Sequence, residues 1–359
     1  YQENLLTDAC IKAGHEVLCV ASDFGALPNG KLVRMEHSDD PDYIIRLKAA
    51  YSCCTPICMR LRKLYKLRDV MEKFAPDVIF VHSIPTLNFK DFKKYKAAHP
   101  EVRIYYNTHT DYYTCGTNFL SMNVQHRLLY RLLIQKYLSV AEKTFYISTS
   151  CGKFLWNEYK VPREKSEFLP LGGFMSEAQE IESDCTKVED ELKIKKDSII
   201  FLQAGKMDSQ KCIIESLRAF KQTKDKKFVL LIVGNLDQSI KYEAENLIES
   251  DERIHYLGWR QSDELIRYLN AADYYLQPGK VSAIFQTAVC CSCGIIARHF
   301  EDYEEFVDGN GWLIHEIHEL GAIYDYISNH KSIVSEMKLK SGMIASQKLD
   351  QMKLIEKFT

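Results

Sequence analysis

The segment Ala204-Gly205-Lys206-Met207-Asp208-Ser209-Gln210-Lys211 follows an apolar run, opens a helical pattern and carries two lysines five positions apart. A strand that turns through glycine into a helix aims free N–H groups at one spot. Two ammonium groups beside them make a pocket for a doubly charged phosphate group. Gly205, Lys206 and Lys211 are therefore expected to hold a diphosphate. The competing reading is two solvated lysines on an exposed loop.

The elements that must position these residues follow from apolar periodicity. The opening 2–14 reads as a helix stopped by Gly14, and 15–21 as a strand, so a first strand and its turn are expected to precede Tyr1. Short apolar runs at 77–81, 102–106 and 144–147, each followed by a helical pattern, predict a parallel sheet covered by helices. Between Gly172 and Lys196 the pattern gives way to a glycine-led, charged stretch, which reads as a domain boundary. A second series follows, with strands at 198–202, 228–233, 254–257, 274–276, 294–297 and 312–314 and lysine-rich helix from about Ser332. The organisation expected is a domain over 1–172, a linker over 173–196, a second domain over 197–335 and a helical segment over 336–359 that crosses back to the first. Two such α/β halves leave a cleft, with ligands outside the carboxyl ends of the strands.

Composition narrows the class. A chain of 359 residues exceeds the size at which one core keeps growing, and 46% hydrophobic with 27% charged residues is ordinary for a globular protein. A net charge of −2 gives no global attraction to nucleic acid, and no nucleic-acid partner is expected. The basic run from Arg60 to Arg68 reads first as the wet face of a helix, with docking on an anionic membrane face as the second reading. Twelve cysteines include the vicinal pairs Cys53-Cys54 and Cys290-Cys291, which strain disfavours as disulfides, so a reduced cytoplasmic setting is expected. Cys290 and Cys293 form a C-x-x-C without a second pair or neighbouring histidines; they read as core residues, with no metal. No G-x-G-x-x-G follows any strand, which disfavours a nicotinamide dehydrogenase.

Several segments in the second half match one family in order and spacing. They are Gly205 through Lys211, Leu231-Ile232-Val233-Gly234, His255-Tyr256-Leu257-Gly258-Trp259, Ala271-Ala272-Asp273-Tyr274-Tyr275-Leu276-Gln277-Pro278 and Glu304-Glu305-Phe306-Val307-Asp308-Gly309-Asn310-Gly311. With Ala13-Gly14-His15-Glu16-Val17, Phe74-Ala75-Pro76-Asp77-Val78-Ile79-Phe80-Val81-His82 and Asn107-Thr108-His109-Thr110-Asp111 in the first half, the chain resembles the family-4 retaining glycosyltransferases. The resemblance implies the α/β GT-B fold, two Rossmann-like domains facing across a cleft. It places Lys206 and Lys211 where the family holds the donor diphosphate and stabilises the leaving group, without a metal or other cofactor. His109 falls where the family contacts the transferred sugar, and His82 reads as a second cleft-lining residue. Gly258 and Trp259 fall where the base would lie; Trp259 stacks on it or covers the core. Asp273 and Asp308 read as a strand-edge cap and a turn residue.

The departure from that family is in Pro278 to Val289. Most members carry two glutamates here; this chain has Ser282 and Thr287 in their places, with the interval about three residues shorter. Ser282 is expected to cap the next helix, leaving the N–H groups of Ala283 and Ile284 for phosphate or sugar oxygens. Gln286 and Thr287 are expected to replace the carboxylate with neutral hydrogen bonds. Two readings stand: a subgroup with a rewired donor site, or a protein that binds nucleotide sugar and has lost catalysis. The first, favoured because both lysines persist, implies a metal-independent hexosyltransferase. It would use a UDP- or GDP-linked donor and a sugar or lipid-linked acceptor in glycan or polysaccharide synthesis, cytoplasmic or peripheral at the inner membrane face.

Overall fold

The computed structural model describes residues 2–26, 32–34, 40–49, 63–113, 115 and 118–359. Cys53, Cys54 and the start of the basic run, Arg60 to Arg62, lie outside them. The chain divides into two compact units, 2–170 joined by 355–359, and 171–354.

The first unit begins with the helix Gln2–Lys12, followed by β1 (Cys19–Ser22), β2 (Phe24–Ala26), β3 (Leu32–Arg34) and β4 (Ile44–Leu47). β1 pairs with β4 in parallel, and β2 with β3 as an antiparallel ribbon. The apolar runs then form β5 (Val78–Val81), β6 (Arg103–Thr108), β7 (Lys143–Tyr146) and β8 (Ser166–Phe168), a four-stranded parallel sheet in that order. Its core is aromatic: Phe89, Tyr95, Tyr106, Phe154 and Tyr159 are all fully buried. Large rings removed from water are the main driving force for such a layer, about 1.5–3 kcal/mol for a side chain of Phe size. The last residues of the chain complete this unit. Phe358 packs its ring 4.9 Å from Phe80 and 6.2 Å from Phe145, and Arg103 donates to the Thr359 carbonyl at 3.1 Å.

The second unit holds β9 (Ile199–Ala204), β10 (Phe228–Val233), β11 (Ile254–Gly258), β12 (Tyr274–Gln277), β13 (Gly294–Arg298) and β14 (Gly311–Ile314). They form one parallel sheet in the order β11-β10-β9-β12-β13-β14. β9 and β10 are buried along their whole length, as the apolar runs Ile199–Leu202 and Phe228–Val233 demand of strands covered on both faces. Phe201 joins the layers, with its ring 5.3 Å from Tyr274 and 5.1 Å from Tyr324. The strand order reverses between β9 and β12, because β10 and β11 are added on one side and β13 and β14 on the other. Crossovers leave that point in opposite directions, so the carboxyl ends of β9 and β12 flank an opening uncovered by either connection.

The expected linker over 173–196 is corrected. It contains the helix Ala178–Leu192, which belongs to the second unit. Asn270 donates to Asp184 at 2.8 Å, Tyr268 donates to Glu191 at 2.8 Å, and Val188 is fully buried. The apolar positions of this helix are sparse among acidic residues, which conceals its periodicity. The lysine-rich end forms the helices Ile333–Lys348 and Gln351–Ile355, the first packed on the second unit through Met337 and Ser341. Only 355–359 join the first unit, a shorter return than 336–359.

Candidate functional site

Two glutamines terminate the strands at the reversal point. Gln203 on β9 donates through its amide to the Lys211 carbonyl at 2.9 Å. Gln277 on β12, itself accepting the Tyr275 hydroxyl at 2.7 Å, donates to the Lys280 carbonyl. Both glutamines are buried. Each strand thus ends in a side chain that fixes the backbone of the loop leaving it, since a buried amide must find its partners locally.

These loops meet. The Lys280 N–H donates to the Gln210 carbonyl at 2.9 Å. A β-carbon on Gly279 would lie 2.2 Å from that same oxygen, so only glycine allows the approach. On the opposite side of β9, a β-carbon on Gly234 would fall 1.8 Å from the Gly205 carbonyl oxygen, so the turns after β9 and β10 are equally close.

Lys211 lies at the centre. Its side chain is almost fully buried, and its ammonium donates to the carbonyls of Lys280 and Val281 at 3.3 Å each. Its Cε and the Cδ1 of Ile284 both stand 3.8 Å from the point where a Gly205 β-carbon would be. The structure therefore brings Gly205, Lys211 and Ile284 together. Burial, and then the charge of Lys280, depress the Lys211 ammonium from its ordinary 10.5 to about 8, against the opposing pull of Asp208. Two partners at long hydrogen-bond distance leave this cation under-satisfied.

Lys280 was not legible as a site residue. Its ammonium lies 2.8 Å from Asp208 Oδ2 and 3.0 Å from Gln210 Oε1, with its side chain 42% exposed. Burial works to raise the Asp208 carboxyl, but the hydrogen bond and charge of Lys280 and the N–H groups of Lys211 and Gln210 outweigh it and hold it below its ordinary value. Two cations and one carboxylate thus share the reversal point.

Lys206 is exposed, and its charge helps lower the Asp237 carboxyl, which Ser239 lowers first by hydrogen bonding. It faces the loop after β10. The turn that carries Lys211 is not the start of a helix: Ser209–Lys211 is a 3-10 turn capped by the Asp208 side chain, and Cys212 at φ 54° separates it from the helix Ile213–Lys221. The expected helical N-terminus is therefore displaced by one turn.

The expectations for Ser282 and Gln286 are corrected. The Ser282 N–H donates to the Tyr303 hydroxyl at 2.8 Å, and Ser282 does not cap the helix Ile284–Cys290, whose first flanking residue is Ala283 without a side-chain cap. Ala283 is exposed, and Ile284 is half-buried beside Gly205. Gln286 is buried and accepts the Gly172 N–H at 2.8 Å, so its carbonyl is committed to the backbone. Thr287 is half-buried, and its Cα stands 3.9 Å from where a Gly173 β-carbon would be. The buried Gly172 N–H needs a partner, and the Gln286 carbonyl supplies it.

Gly258 ends β11 at φ 66°, and its carbonyl accepts the Gly234 N–H at 2.8 Å. Trp259 beside it is 57% exposed, which removes the core-covering reading. Asp273 accepts from the Ile200 N–H at 2.9 Å, as a strand-edge cap should, and the Asp308 N–H donates to Asn310 within its turn. Cys290 and Cys293 are buried, and the described cysteines are all free thiols.

In the first unit, His82 and His109 follow the adjacent parallel strands β5 and β6, and their rings stand 4.4 Å apart. His82 Nε2 lies 3.0 Å from Glu3. That hydrogen bond is the chief cause of the fall in the Glu3 carboxyl to about 2, with the charges of both histidines adding to it.

Residues 185–307 match the family model described as Glycosyl transferases group 1. No curated protein matches the chain in sequence. Among solved structures, a glycosyltransferase from Rickettsia africae is 14% identical with a TM-score of 0.63, covering 88% of this chain and 82% of that one. Anabaena HepE in complex with UDP is 15% identical with a TM-score of 0.60, covering 88% and 84%. Sucrose-phosphate synthase from Thermosynechococcus elongatus is 14% identical with a TM-score of 0.63, covering 98% and 89%. The fold is that of the GT-B glycosyltransferases, as the order of motifs implied. Among the described residues no helix is long and apolar enough to cross a membrane.

Proposed function

We propose that the second unit binds the diphosphate of a nucleotide sugar at the carboxyl ends of β9 and β12, and that the protein transfers a hexose from it to a sugar or lipid-linked acceptor. The observation that carries the reading is the buried, under-satisfied Lys211 ammonium at the point where the strand order reverses. A departing nucleoside diphosphate gains negative charge as its glycosidic bond breaks. A cation already desolvated and fixed in place stabilises that charge without reorganising. On this reading the lysines supply the charge that a divalent metal supplies elsewhere, and no cofactor is used. Retention follows if the acceptor hydroxyl attacks on the face the diphosphate leaves and a phosphate oxygen takes its proton. On this reading the exposed Trp259 stacks on the base, and His109 hydrogen-bonds the transferred sugar. Support for the donor class comes from the HepE likeness, a protein solved with UDP. A cytoplasmic setting, with contact at the inner membrane face, belongs to the same proposal.

The second reading, a nucleotide-sugar-binding protein without turnover, is favoured by the commitment of Ser282 and Gln286 to Tyr303 and Gly172. The two are separated by incubating the chain with UDP- and GDP-sugar panels and measuring binding and diphosphate release together. Release with an acceptor supports transfer; tight binding without release or hydrolysis supports the binding protein. Changing Lys206 and Lys211 together to alanine is expected to abolish UDP and GDP binding with the melting transition retained. Unchanged affinity would remove the site.

A further inference from the structure

The loop after Pro278 carries a cation whose backbone is already secured. The Lys280 N–H is bonded to Gln210, its carbonyl accepts from Gln277 and from the Lys211 ammonium, and Gly279 allows the loop to close on the turn. The ammonium is therefore not needed to hold the loop. It rests on Asp208 and Gln210 at the rim, with the lysine side chain partly exposed, and such an ion pair exchanges readily for a stronger anion. Asp208 faces both Lys280 and Lys211, through its Oδ2 to the Lys280 ammonium and its Oδ1 to the Lys211 backbone N–H.

We propose that Lys280 is a third phosphate-binding cation, parked on Asp208 in the empty protein and passed to the donor diphosphate when it binds. This rests on the diphosphate site argued above. The logic is one of anion exchange. Asp208 presents a single negative charge to two cations, whereas a diphosphate presents more charge and several acceptor oxygens, which matches an ammonium with three donors. Asp208 then acts as a competitor for Lys280, and as a repulsive neighbour of the incoming phosphate.

The test is calorimetric titration of the full chain with inorganic pyrophosphate and with UDP, using Lys280→Gln, Lys280→Arg, Asp208→Asn and Lys211→Gln, each checked for an intact melting transition. Lys280→Gln is expected to weaken both ligands about 10- to 100-fold and to flatten the salt dependence of binding. Lys280→Arg is expected to recover most of the affinity, and Asp208→Asn to tighten binding. If Lys280 were only a clamp, Lys280→Gln and Asp208→Asn would weaken binding alike, and that result overturns the proposal. Wild-type affinity in Lys280→Gln alongside lost affinity in Lys211→Gln also overturns it while leaving the diphosphate site standing. No binding of either ligand by the wild type removes both.

Discussion

The depressed Lys211 ammonium makes donor affinity depend on pH in a range where phosphate itself is silent. A terminal phosphate loses its second proton near pH 6, so between about pH 7 and 9 the charge on the diphosphate is nearly constant. Burial and then the charge of Lys280, resisted by Asp208, lower the Lys211 ammonium to about 8 before a ligand binds. A bound diphosphate favours the ammonium form and returns its titration towards the ordinary 10.5. Binding therefore selects the protonated site, and affinity is lost as pH rises through the free-site value. The protonated fraction falls from about 0.9 at pH 7 to about 0.1 at pH 9, which predicts an apparent dissociation constant for UDP about tenfold weaker. Calorimetry in buffers of different ionisation enthalpy should register uptake of about half a proton per UDP near pH 8. Lys211→Arg keeps the charge throughout the range and should abolish both effects. A flat affinity in the wild type, or an equal slope in Lys211→Arg, refutes the assignment of the cation.

Two further substitutions separate fold from site. Gly279→Ala drives a β-carbon to 2.2 Å from the Gln210 carbonyl oxygen; it is expected to cost about 3 kcal/mol or more and to abolish pyrophosphate binding, read by denaturant unfolding and calorimetry. Gln286→Ala leaves the Gly172 N–H without its buried partner; a loss of about 1–3 kcal/mol is expected with unchanged pyrophosphate affinity, and a large affinity loss would restore Gln286 to the site.

What the residues reveal in advance depends on how local the signal is. The run Phe228–Val233 is apolar at every position, and the strand coincides with it because no other arrangement buries both faces. That Gly205 and Lys211 come together was legible because a single turn after β9 carries both. Lys280 was not, because its role depends on β12 lying beside β9, a pairing that no periodicity encodes. Gln203 and Gln277 carried a readable sign, a polar residue closing an apolar strand, without saying which carbonyl each would hold. Ser282 and Gln286 misled because spacing from Pro278 cannot register Tyr303 or Gly172, which reach them from elsewhere in the chain.

The placement of Phe358 bears on how the chain acquires its shape during synthesis. Arg103 and its partner Thr359 are separated by 256 positions, so the aromatic layer around Phe80 and Phe145 must wait, incompletely covered, while the entire second unit is translated. A ribosome-bound chain halted before Leu354 should therefore expose apolar surface that chaperones recognise, and a short peptide spanning 350–359, supplied in trans, should protect it.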